Sequence, residues 1–85
     1  MIRTGSVVRS TAGRDREKLL LVVGVTEAGV LVCDGKERPL ERPKRKNPRH
    51  LAYVGDGQEI LKAAVGNKAL RRALAAFAAG QTSAG

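Results

Sequence analysis

Tryptophan is missing from this chain, and Tyr53, Phe77, Cys33 and His50 are each the only residue of their kind. Each scarcity excludes something. Modules that bind single strands by stacking successive bases rely on several exposed aromatic platforms, and two aromatics cannot supply them. Phe77 is expected in the core and Tyr53 beside it, with the Tyr53 hydroxyl within reach of a ligand at the edge. One cysteine rules out an intrachain disulfide framework and a multi-cysteine metal site, and Cys33, at the end of a Val-Leu-Val run, reads as a buried, inert thiol. One histidine and scattered carboxylates give no nucleophile–base pair, metal cluster or paired-carboxylate site, so neither an enzyme nor a cofactor is expected. Gly55-Asp56-Gly57 is not a phosphate loop, because no Gly-Lys-Ser/Thr follows it.

Long apolar runs are also lacking. The longest, Leu19 to Val25, is too short for a membrane span, and the N-terminal residues carry no apolar stretch of signal-peptide length. A cytoplasmic protein with no membrane association is expected. At 85 residues the chain makes one small domain, and a domain of about this size buries only about two-thirds of its unfolded surface, leaving little room for a catalytic cleft.

What the chain has in excess is positive charge: 16 Lys and Arg against 8 Asp and Glu, a formal net charge of +8. The excess is concentrated. Lys36 to His50, KERPLERPKRKNPRH, holds seven Lys/Arg and two Glu and supplies +5 of it, with no apolar period of its own. Such a segment cannot sit in a core, and a localised charge of this kind is aimed at a polyanion. Pro43 and Pro48 bracket the densest part and are expected to hold it extended and out of any helix.

The flanking pattern is that of strands first and helix last. Gly5 to Ser10 reads as a strand, Thr11 to Glu17 as a loop in which Gly13 permits positive φ, Leu19 to Val25 as an unbroken apolar strand, and Val30 to Cys33 as its hairpin partner after Ala28-Gly29. Asp34-Gly35 signals a turn into a short edge strand near Arg38 to Leu40, and a last strand is expected over about Arg49 to Val54. Asp56 and Glu59 have capping-box spacing before a short helix. Asn67 reads as the N-cap of a longer helix in which Leu70, Leu74 and Phe77 share a face, with Lys68, Arg71 and Arg72 on a solvated one. Because the two central strands are apolar on both faces, that stripe is needed as their lid. The fold class expected is mainly β: a small SH3-like barrel of about five strands over residues 1–54, a helical extension packed on it over 55–80, and a flexible tail over 81–85.

Three stretches carry a family resemblance. GSVVRSTAGRD, from Gly5, resembles the KOW motif of RNA-binding ribosomal and transcription proteins. VLVCDG with ERPKRKNPRHL is similar to the corresponding part of the archaeal and eukaryotic large-subunit ribosomal protein L-fourteen-e family, in which a basic cluster also runs into an Asn, two residues, and His-Leu, here Asn47, His50 and Leu51. NKALRRALAAF resembles the C-terminus of small bacterial KOW proteins related to it. The chain departs from the pattern at Arg16-Glu17-Lys18, where members often have a second glycine. The resemblance implies an SH3-like barrel and RNA binding, with rRNA or ribosomal particles as partner.

The RNA-binding candidates form two groups. Arg14, Arg16 and Lys18 project from a loop, and Arg42, Lys44, Arg45, Lys46 and Arg49 form a nearly continuous ribbon that suits phosphates. The loop also admits pairing of Arg14 and Arg16 with Asp15 and Glu17 at a solvated turn. Asn47 is either a ribose or base contact or a turn residue. His50 is placed near the RNA-facing surface by the resemblance, while by itself a histidine beside a strand reads as structural. The alternative function is a KOW-type protein-interaction module of transcription or translation, with a protein partner at the C-terminal helix or at the faces around Val30 to Val32.

Overall fold

The computed structural model describes residues 2–83. Five strands, β1 (Ser6–Ser10), β2 (Leu19–Thr26), β3 (Gly29–Cys33), β4 (Lys44–Lys46) and β5 (Leu51–Asp56), form one antiparallel sheet in the order β4-β3-β2-β1-β5. The sheet is not closed; β4 and β5 are its edges. Two helices follow, α1 (Gln58–Ala63) and α2 (Asn67–Ser83). The helix thus runs on through residues expected as a tail, and Ala84 and Gly85, the end of that tail, lie outside the described residues. Among the described residues no helix is long and apolar enough to cross a membrane.

The doubly apolar strands have two coverings. Val7, Leu21 and Cys33 pack on one face with Leu70 and Leu74 of α2, and Phe77, Val54, Ile60 and Leu61 join at the margin. Burial pushes the Cys33 thiol up to about 11, which leaves it protonated and inert as a nucleophile near neutral pH. On the other face Val8, Leu20, Val22, Val30, Val32 and Leu51 are buried with no helix over them, only Ile2 from the N-terminal segment. The sheet covers this face by coiling on itself. Two register shifts serve the coil, one on β2 between Val22 and Gly24 and one where β1 meets β5 at Val7/Val8, since an extra residue in one strand bends it and sharpens the local twist.

Several local expectations are corrected. No strand forms at 38–40: the Arg38 carbonyl accepts from Asp34 N at 2.8 Å and Gly35 N at 3.1 Å, Arg38 N donates to Asp34 Oδ1, Pro39 has no N–H and its carbonyl accepts from Arg42 N, and Leu40 N donates to Asn67 Oδ1 at 2.7 Å, so the segment's donors go to turn and helix partners and not to a ladder. The fourth strand is instead the basic segment Lys44–Lys46, paired with β3. Pro48 does not keep its neighbours out of every helix, because Pro48–His50 form one 3-10 turn, with proline at the start where its missing N–H costs nothing. The last strand accordingly begins at Leu51. Asp56 is no helix cap, since it remains in the β1–β5 ladder opposite Ser6; α1 starts from Gly57, which has no side chain to cap with. Asn67 turns its side chain away from its own helix, taking Leu40 N and donating to Glu41, while Leu70 N bonds to the Gly66 carbonyl. Gly35 makes this docking possible: at φ 81° it lies so close to α2 that a Cβ would meet Asn67 O at 2.3 Å. Tyr53 is half exposed, not core, because β5 is an edge with no strand beyond it.

The β1–β2 loop stores a small strain. Gly13 has φ 76° as expected, and Glu17 has φ 69°, the left-handed region disfavoured for residues with a Cβ. Ser10 accepts from Glu17 N at 2.7 Å, so the conformation is fixed by the hairpin. Glu17→Gly is expected to raise stability by about 0.5–1 kcal/mol, measurable as a higher urea midpoint; an unchanged or lower midpoint would show that the Glu17 side chain compensates its backbone.

Candidate nucleic-acid interface

The two basic segments, separate in sequence, meet in the fold. The centre of their junction is Asp15, with a side chain only 4% exposed. Its carboxylate takes the Arg38 guanidinium at 3.3 Å and Lys46 Nζ at 3.4 Å, and Lys46 Nζ also lies 3.2 Å from Ser10 Oγ. Burial alone would raise the Asp15 carboxyl, but Arg38 and Lys46 outweigh it and hold the group below its ordinary value of 3.8. A second tie lies alongside, where Thr11 N donates to the His50 carbonyl at 2.9 Å. These bonds fasten the 11–17 loop against β4 and the 3-10 turn.

Placed on this frame, the expected contact residues divide. Arg14, Arg16, Arg42, Lys44, Arg45, Arg49 and His50 are exposed. None forms a side-chain hydrogen bond or ion pair among the described residues, so Arg14 and Arg16 do not pair with Asp15 and Glu17: Asp15 is turned inward to cations from distant segments. Lys46 is the exception in the ribbon. Its side chain is 12% exposed and committed to Asp15, because in the β3–β4 register it stands opposite buried Val30 on the coiled inner face. Lys18 is tied to Glu37 by a direct ion pair, and the hydrogen bond the ammonium donates to Glu37 raises the lysine's pKa. That pair is exposed and contributes little stability.

Asn47 is a turn residue here: its Oδ1 accepts from Arg49 N at 2.9 Å and caps the 3-10 turn, leaving the amide nitrogen outward. The turn buries none of its three residues, so His50 is not part of the core; its structural tasks are backbone ones, its N–H donating to the Asn47 carbonyl and its carbonyl accepting from Thr11 N. The loop cations, the edge-strand cations and the turn carrying Arg49 and His50 are thus brought together around the Asp15 ion pair.

Asp15 and Arg38 were not legible as partners in the sequence, where each sits in a charged run that looks solvated. The one available signal was negative: Asp15 is an acid set between Arg14 and Arg16 in a segment otherwise suited to phosphate. Arg9 was also passed over; it is the single exposed position of β1, beside the same loop. Compared with known proteins, the chain matches no family model and no curated protein.

Proposed function

We propose that this protein binds structured RNA, rRNA or a ribosomal particle, as a KOW-type module in which the coiled open sheet is an SH3-like half-barrel. The observation that carries the reading is that exposed, unpaired cations of the 11–17 loop and the 42–50 segment are brought around one junction by Asp15–Lys46 and Thr11–His50. A rigid array of arginine and lysine at strand and turn positions fits the fixed phosphate spacing of a folded RNA better than a flexible tail does. Edge strand β4 suits the task, since Lys44 and Arg45 alternate across its two faces and neither has a strand beyond it. Burial of Val30, Val32, Leu70 and Leu74 within the chain leaves the protein-interaction alternative the outer, exposed face of α2.

Binding of a folded rRNA fragment should weaken with salt. If about five phosphates are neutralised, affinity falls roughly 10²- to 10³-fold between about 50 and 200 mM. Lys44→Ala, Arg45→Ala and Arg49→Ala together should lower affinity at least about tenfold and reduce the salt slope by about three, with thermal melting unchanged. Lys46 is left intact in this variant because its loss would unfold the Asp15 junction and confound the comparison. Unaltered affinity in a folded triple variant would remove the ribbon from the interface.

A further inference from the structure

The coil of the sheet leaves an open mouth between the β2–β3 hairpin tip, the end of β4 and the N-terminal segment, a groove of ≈ 450 Å³. Phosphate contacts alone give it no purpose. Its walls are apolar where they come from Ile2, Val25 and Pro48, and Val25 is 51% exposed there, at the open end of a strand whose Leu20, Leu21 and Val22 are buried. The size is within the range of small-ligand sites and admits one nucleobase between apolar walls.

The polar groups at the groove are few and specific. Arg45 lies across Gly29, where a Cβ would meet its Cγ at 2.9 Å, so the absent side chain makes room for the arginine stem. Asn47 uses Oδ1 on its own turn, which frees its amide nitrogen as a donor. Thr26 Oγ1 is consumed by the hairpin, within 3.2 Å of Ala28 N and Gly29 N. Glu27 stands at the tip with no hydrogen bond or ion pair among the described residues. A carboxylate is a poor neighbour for phosphate, and its place beside an anion-binding surface suits a partner that offers hydrogen-bond donors.

We propose that this groove receives one unpaired guanine of the bound RNA, an inference that rests on the RNA-binding reading. Among the four bases, only guanine has two adjacent donors, N1–H and N2–H, on its Watson–Crick edge, the match for a carboxylate such as Glu27; its O6 then accepts from the Asn47 amide, and Arg45 takes the attached phosphate. Adenine and cytosine set a ring acceptor beside their amino group, and uracil sets its single N–H between two carbonyls, so each turns at least one lone pair toward the carboxylate. Unpaired bases are the part of a folded RNA that side chains can read in this way.

The test uses the full chain and fluorescent RNA hairpins of identical stem, carrying one bulged G, A, C or U, or no bulge. The bulged-G hairpin is expected to bind about tenfold more tightly than the others, and Glu27→Ala to erase that preference while leaving affinity for the unbulged hairpin unchanged or higher. Glu27 is an exposed turn residue, and a thermal melt of the variant verifies its fold. Equal affinity for all bulges, preference for another base, or a guanine preference that survives Glu27→Ala overturns the assignment. If those results accompany salt-dependent binding of the unbulged hairpin, the phosphate surface stands and only the groove assignment falls; if no hairpin binds even at low salt, both fall.

Discussion

Leu70→Ala is expected to lower unfolding free energy by about 3 kcal/mol, within the 2–5 kcal/mol range for truncating a buried leucine. Leu70 is fully buried, and with Leu74 it roofs Val7, Leu21 and Cys33 on one face of the sheet. Removing its isobutyl group leaves a cavity that α2 cannot easily close, because its first turn is pinned at Asn67 to Leu40 and Glu41 and abuts Gly35. The gain in helix propensity at alanine is only a few tenths of a kcal/mol and does not offset this. Urea unfolding with an unchanged slope measures the loss. A variant as stable as the parent would mean that α2 is dispensable to the sheet, and truncation after Gly66 would then leave a monomer of unaltered melting temperature instead of an aggregating one.

Asp15→Ala is expected to be comparably damaging, at about 3 kcal/mol, since removing one partner of a buried ion pair leaves the others desolvated and uncompensated. Lys46 is then stranded on the inner face and Arg38, 26% exposed, keeps only the turn to hold it. The effect depends on pH in a definite direction. The Asp15 carboxyl is held below its ordinary value of 3.8, so its contribution is complete above that value and disappears as pH falls through the lower folded-state value. Parent and variant should therefore differ fully at neutral pH and converge in strong acid, below about pH 4. A stability gap that persists at low pH would assign the loss to packing and not to charge. Because the same junction holds the 11–17 loop against β4, the variant should also bind RNA less tightly despite its greater net positive charge, an outcome opposite to simple electrostatics.

The sequence by itself determined the β-before-α order, the three apolar strands, the amphipathic stripe on α2 and the placement of positive charge, because each is a local matter: period 2 or 3.6 in apolar residues, or a run with no period at all. It also fixed that the sheet needs a lid, since strands apolar on both faces cannot leave one in water. The fourth strand lies at Lys44–Lys46 and not near Arg38 to Leu40 for a physical reason. Lys44–Lys46 has no apolar pattern, and its strand character comes from pairing with β3, a contact formed across the sheet. Asn67 has the chemistry of a helix cap and serves a loop 26 residues away at Glu41. Arg14, Lys46 and Asp15 look alike as charged residues in charged runs. Only the tertiary structure separated them, turning Asp15 and Lys46 inward as a buried pair and leaving Arg14 to solvent, because burial and partnership depend on which distant segments the coiled sheet brings within a few ångströms.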